Sequence, residues 1–281
     1  MSVRNPRRRA LAAGLAAWLL LAADVPSAAE LQRKTIEAWN RYVAATEKRV
    51  DRELGSPAGF LVLDFDAPER ATAARRALAR GETIVEEMET RNADGDGIDV
   101  PDGSIQHWRG AVLIRGLSLD RLIAAIESGD TLRGQKDVVD WRVLERQPGR
   151  LRTFLRIRRE SVVTVTYDTE HEVTYTATGG RAVSRSVATR IVEIEEPGTP
   201  GEHARPPGDD RGYFWRLNAY WRYEETPEGV IAEVESLTLS RSIPLVVRPF
   251  VGVFVNRIAR DSVRSTLEGL RANLARPPAR P

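Results

Sequence analysis

The 281-residue chain has no cysteine. That excludes disulfides, thiolate nucleophiles, Cys-ligated zinc and iron–sulfur clusters. Histidine is almost as scarce, with only His107, His171 and His203, so multi-histidine metal sites are close to excluded. No HExxH, P-loop, GxGxxG or GxSxG occurs, which removes the common signatures of zinc peptidases, nucleotide binders and nucleophile-elbow hydrolases. No catalytic set, metal or cofactor is indicated. What is present is ordinary globular composition: 42% hydrophobic and 29% charged residues, with average Gly and Pro.

The one long apolar run lies at the start. Arg4, Arg7, Arg8 and Arg9 precede fourteen apolar residues at 10–23, and small residues at 26–29 supply a cleavage site after Ala29. This is the pattern of a cleaved secretory signal peptide, so the mature chain is expected to begin at Glu30 and to be periplasmic or secreted. The run is shorter than the ~20 residues of a spanning helix, and no later segment approaches that length. Without residues 1–29 the chain carries 38 basic and 39 acidic residues. The apparent basicity belongs to the leader, and the balance gives no support to nucleic acid as a partner.

The remainder reads as helix, strands, helix. Residues 31–54 carry Ile36, Trp39, Val43 and Val50 at near-helical spacing and stop at Gly55-Ser56-Pro57. The run FLVLDF at 60–65 predicts a short strand or an extended packing segment, and Pro68 opens a helix ending at Gly81. Two strands are expected at 83–90 and 105–114. A helix capped by Ser118 and closed by Gly129 follows. Residues 138–195 alternate as consecutive antiparallel strands. A Pro/Gly-rich loop at 196–212 is the candidate lid. Strands at 213–223 and 230–240 lead to a long amphipathic helix over 244–274 and a frayed tail at 276–281.

This order predicts an α+β fold: a curved antiparallel sheet wrapped around a long C-terminal helix, with extra N-terminal helices at 30–82 packed on a main domain at 83–275. Three runs carry a likeness: His107-Trp108, Asn218-Ala219-Tyr220-Trp221-Arg222-Tyr223-Glu224, and Ser240-Arg241-Ser242-Ile243-Pro244. In these the chain resembles the START-like (helix-grip, polyketide cyclase/lipid transport) superfamily, and its exported bacterial members best, over residues 83–274. The resemblance implies a seven-stranded sheet gripping the last helix around an apolar pocket for a lipid or similar molecule.

The expected cavity wall is Trp215, Leu217, Trp221, Val234, Phe254 and Ile258. Tyr213 to Tyr223 at alternate positions form one face, serving as core and pocket wall together. Arg216, Asn218 and Arg222 occupy the opposite face and are expected outward and solvated, because unpaired buried arginine is costly. Asp168, Glu170 and His171 could be drawn as an acid/base cluster, but are expected at a solvent-facing strand end. Asn92 to Gly97 opens like a calcium loop, then breaks at Asp99 and Gly103, where an aliphatic residue and a bidentate Glu belong. It reads as a hairpin turn. The functional expectation is an exported, non-catalytic protein holding a lipid or other apolar small molecule between sheet and helix. Two rivals stand beside it. One is an enzyme of the same fold, cyclase- or hydrolase-like, with a carboxylate or His107 as acid/base. The other is an envelope interaction module without ligand, presenting helix 31–54.

Overall fold

The computed structural model describes residues 31–160, 164–242 and 248–275, with the backbone alone for 248–256. The leader, the tail at 276–281 and the start of the last helix at 244–247 lie outside the described residues. In chain order the elements begin with α1 (Arg33–Leu54), a 3-10 turn (Val62–Phe65), α2 (Pro68–Ala79), β1 (Ile84–Glu87) and β2 (Gly103–Arg115). Next come α3 (Leu119–Ser128), a second 3-10 turn (Asp130–Leu132), and β3 (Val138–Gln147), β4 (Arg150–Glu160), β5 (Thr164–Thr178) and β6 (Arg181–Glu195). The chain closes with β7 (His203–Ala204), β8 (Arg216–Thr226), β9 (Gly229–Arg241) and α4 (Arg248–Leu274). The strands form one antiparallel sheet in the order β1-β2-β9-β8-β6-β5-β4-β3, with the short β7 pairing β6. That is nine strands among the described residues against the seven implied by the resemblance.

α4 lies across β2, and Gly110 is where it seats. A Cβ there would fall 2.6 Å from Leu267 Cδ1, 2.8 Å from Val263 Cγ1 and 3.0 Å from the Ile84 carbonyl. Only a residue without a side chain lets the helix approach this closely. Around it Val263, Leu267, Leu270 and Leu274 join Trp108, Val112 and Ile114 of β2 and Leu122 and Ile126 of α3 in the main core. α3 is bounded as its sequence dictates: Ser118 Oγ accepts from Arg121 N–H, and Gly129 takes the left-handed conformation at φ 82°. This is the helix grip.

The second face of the sheet is buried too. α1 turns Thr35, Ala38, Trp39, Tyr42, Thr46 and Val50 inward, a stripe at three- and four-residue spacing. Trp39 and Tyr42 pack with Trp215, Tyr220, Leu237 and Leu239. Phe60, Leu61, Leu63 and Leu78 pack on Ala111, Leu113 and Ile231. The strand or extended segment expected at 60–65 is instead the first 3-10 turn, over Val62–Phe65. Asp64 is the reason: its carboxylate accepts the N–H groups of Phe60 and Leu61 at 3.0 Å each and is clamped by Arg75. An acceptor placed inside an apolar run folds that run back on itself.

Candidate functional site: the cavity between sheet and last helix

Strand alternation decides what faces α4. β4 points Leu151, Thr153, Leu155, Ile157 and Arg159 into the space beneath the helix, β8 points Leu217, Ala219, Trp221 and Tyr223, and β9 points Val234, Ser236 and Thr238. α4 closes it with Ala259, Ser262, Val263, Thr266 and Leu270, again at helical spacing. The packing leaves a partly open cavity of about 230 Å³. Trp221 and Tyr223 stack along one wall, ring centroids 5.7 Å apart and 8° from parallel. A polar band crosses the apolar lining through Thr153, His171, Ser186, Thr238 and Gln106.

Of the six expected wall residues, Leu217, Trp221 and Val234 line this cavity. Trp215 does not. β8 starts one residue later, and Trp215 leaves the loop with its N–H on the Leu239 carbonyl and its ring in the outer cluster with Trp39 and Tyr42. Its indole N–H donates to Asp210 at 2.9 Å. Ile258 is half-buried on α4 but not on the lining, which follows Ala259 and Val263 one residue out of phase. The Phe254 side chain lies outside the described residues.

His171 is a correction of the solvent-facing expectation. It sits mid-strand on the inward register of β5, 4% exposed, in the cavity wall. Burial pushes its imidazole down to about 4, so it is neutral near pH 7. Thr169 spends its hydroxyl proton on the Leu155 carbonyl, so His171 Nε2–H donates to Thr169 Oγ1 at 2.9 Å. That leaves Nδ1 as an acceptor 3.4 Å from Ser186 Oγ. Among the described residues no carboxylate orients this ring. Asp168 points the other way and is held bidentately by Arg156. Two polar atoms at the wall have no partner among the described residues: Trp108 Nε1 and Gln106 Oε1.

The face expected to be solvated is the other correction. Asn218 and Arg222 are 5% and 2% exposed under α1. Arg222 donates to the Phe60 carbonyl at 2.8 Å and to Glu53 at 2.6 Å. His107 lies in this outer layer rather than in the cavity, its Nδ1 2.9 Å from the Tyr42 hydroxyl and its Nε2 2.7 Å from Glu235. Burial would raise the Glu235 carboxyl, but His107 and Arg49 outweigh it and hold it at about 2. Burial wins at Glu233, which is pushed up to about 7 although it accepts the N–H groups of Val62 and Leu63 and feels Arg222. Arg109 is shared between Asp66 and Glu86. Sequence reasoning missed this layer. Its signal was present: Glu233 and Glu235 alternate on β9 directly opposite Arg222 of β8 and Arg109 of β2.

The loop at 196–212 is tethered: Glu202 pairs with Arg156 at 2.8 Å, and Arg205 and Arg211 hold Glu193 and Glu195. None of its residues lines the cavity, so it is not a lid over it. Asn92 to Gly97 is a turn in which Asn92 Oδ1 accepts the N–H groups of Asp94 and Asp96. Among the described residues no helix is long and apolar enough to cross a membrane.

No family model matches the chain, and no curated protein does. Solved structures do. A STAR-related lipid transfer protein from Xanthomonas axonopodis is 15% identical, with 68% of this chain and 99% of that one covered and a TM-score of 0.45. Human StAR-related lipid transfer protein 5 is 13% identical, covering 85% and 97%, with a TM-score of 0.39. The Zhui aromatase/cyclase from a Streptomyces species is 11% identical, covering 60% and 93%, with a TM-score of 0.35. All three TM-scores lie below 0.5. The arrangement rests on the chain's own geometry, an antiparallel sheet closed around its C-terminal helix.

Proposed function

We propose that this chain is an exported, non-catalytic binding protein that shelters a lipid or other apolar small molecule between its sheet and its last helix. The leader pattern at 1–29 supports export. The observation that carries the binding role is the cavity itself: about 230 Å³ walled by Leu151, Leu155, Ile157, Leu217, Trp221 and Val234, in a protein whose outer layer is otherwise closely packed. Native interiors leave few voids larger than a water. A hollow of this size costs stability unless something fills it. An apolar occupant gains about 0.8 kcal/mol for each CH₂ taken from water, so holding it needs no specific chemistry.

Titration of the purified protein with a long-chain lipid or an apolar fluorophore, read by tryptophan emission, tests this. Saturable binding with a change in emission is expected, because Trp108 and Trp221 are in the wall. Trp221→Ala should weaken binding more than it weakens the fold, since it enlarges an existing hollow. A solidly packed aromatic would instead cost ~3–5 kcal/mol of stability. No saturable binding, combined with a loss of that size at Trp221, would refute the cavity as a binding site.

A further inference from the structure

We infer that the molecule held in this cavity is a single-chain organic acid, an apolar tail with one anionic head, and that the head docks on the Arg159 guanidinium. The inference deepens the binding role proposed above and rests on it.

Arg159 is the one charged residue among the five that β4 turns into the cavity, after Leu151, Thr153, Leu155 and Ile157. It is partly buried, and its hydrogen bond to a neighbour runs from Nη2 to Ser262 Oγ of α4 at 2.9 Å. No carboxylate among the described residues comes within ion-pair distance of it, and residues 161–163 and 243–256 contain no Asp or Glu. The acidic groups that face this end are otherwise engaged or too far. Asp137 lines the same cavity and attracts Arg159 without reaching it. Glu193 is taken by Arg205 and Arg211, and Asp210 by the Trp215 indole. Phe214 lies beneath the guanidinium at 5.8 Å and carries Tyr167 on its other contact at 5.5 Å. The Tyr167 hydroxyl, on a residue 2% exposed, has no partner among the described residues.

This corner therefore holds a fixed cation, a serine hydroxyl free to donate onward and an unmatched phenol, all without an acceptor to share. Burial depresses the guanidinium's pKa, but arginine does not release its proton in proteins, so the charge stays. Arg49, Arg75, Arg109, Arg156 and Arg222 each have a carboxylate, and the half-buried Arg216 of the outer face has the Trp215 carbonyl, so Arg159 is the arginine without a carboxylate that faces the cavity. An oxyanion entering it would accept from the guanidinium in the bidentate fashion arginine favours. Its tail would run along the wall toward Trp221 and Tyr223. A volume of about 230 Å³ lies below the ~300–1,000 Å³ of drug-sized pockets, which suits one chain rather than a two-chain lipid.

Sodium dodecanoate, monododecyl phosphate and dodecan-1-ol share a tail and differ in the head. Titrated against the full mature chain at low salt, at least one of the two anions should bind about ten- to a hundred-fold more tightly than the alcohol, the advantage of a charge-assisted hydrogen bond. The better anion distinguishes a carboxylate from a phosphate head. Arg159→Met should abolish the advantage by weakening anion binding far more than alcohol binding and leave the melting temperature unchanged or higher, and Arg159→Lys should restore part of it. Ser262→Ala, which keeps the charge, should reduce it by a smaller factor. Equal binding of anions and alcohol by the parent, or an advantage that survives Arg159→Met, would overturn the inference while leaving the binding role standing. If none of the three ligands binds the parent saturably, the binding role fails and takes this inference with it.

Discussion

Strand β9 sends Val234, Ser236 and Thr238 toward the cavity and Glu233 and Glu235 toward the helical layer, within one run of thirteen residues. Val234, Glu233 and Glu235 are buried and Ser236 and Thr238 partly so, and the surroundings of the two sets differ. In the outer layer most charges are paired: Arg49 on Glu235 and Glu53, Arg222 on Glu53, Arg109 on Asp66 and Glu86, Arg75 on Asp64 and Glu224. Arg216, with the Trp215 carbonyl alone, and the second oxygen of Glu235 are the exceptions. On the cavity side polar atoms stand unmatched: Trp108 Nε1, Gln106 Oε1 and the Arg159 guanidinium, which has no carboxylate among the described residues. Paired burial holds the outer layer to the sheet, whereas an arginine without a carboxylate beside a hollow is the feature the proposed binding role would use. One sheet carries both, and strand periodicity keeps them apart.

The comparison breaks first if the outer layer is not structural. Arg222→Met takes one of its two arginines from Glu53, which keeps Arg49, and leaves the Phe60 carbonyl without its donor. Losing both charge-assisted bonds in a buried setting should cost about 3 kcal/mol, which urea unfolding at pH 7 should register. A loss below about 1 kcal/mol would mean that α1 rests on its apolar cluster alone.

Much of this architecture was legible in the sequence, because periodicity and punctuation are local. The helix at α1, the Ser118 cap and Gly129 stop of α3, and the inward alternation of Leu217, Ala219, Trp221 and Tyr223 follow from spacing alone. What was not legible depended on which element covers which face. Arg222 and Asn218 read as solvated because a lone antiparallel sheet buries one side, and nothing near residue 222 announces that a helix whose Glu53 lies 169 positions earlier covers it. The same holds for His107, whose partners Tyr42 and Glu235 are 65 and 128 residues away. Trp215 was misplaced by a shorter margin: β8 begins at Arg216 rather than at Tyr213, which leaves Trp215 one residue outside the strand's alternation.

Acidity sharpens the comparison next. The folded protein keeps the Glu233 proton up to about pH 7, whereas the unfolded chain releases it near 4.5. Folding stability from this group is therefore fully present below pH 4.5 and is lost as pH rises toward 7, by roughly 3 kcal/mol at most. Glu235 has the opposite sign, but its window lies between pH 4.5 and about 2. Glu233→Gln should remove this falling contribution between pH 5 and 7, so that the variant's denaturation profile differs in slope from the parent's. A variant whose slope matches the parent would show that Glu233 is already ionised in the folded state.

Packing beneath the last helix gives a smaller effect. Gly110→Ala places a methyl against Leu267, Val263 and the Ile84 carbonyl, and overpacking of this kind costs ~1–3 kcal/mol. The expected result is a lower denaturation midpoint with an unchanged slope in urea. An unchanged midpoint would show that α4 does not seat on β2 at this point.

The smallest effect belongs to the cavity wall. The folded chain holds His171 neutral down to about pH 4, while the unfolded chain protonates it near 6.5. Its contribution is present above pH 6.5 and is lost as pH falls, about 1.4 kcal/mol of it by pH 5.5. Over pH 5 to 6.5 this slope opposes that of Glu233, so the parent profile should look muted and each variant should expose the other group. Glu233→Gln should gain stability with rising pH, and His171→Gln should lose it. Imidazole NMR supplies the direct check, with His171 remaining the neutral Nε2–H form at pH 5. A His171 resonance that titrates near 6.5 would mean the wall beside Ser186 is open to water, and the inner face would then no longer be the dry counterpart of the outer one.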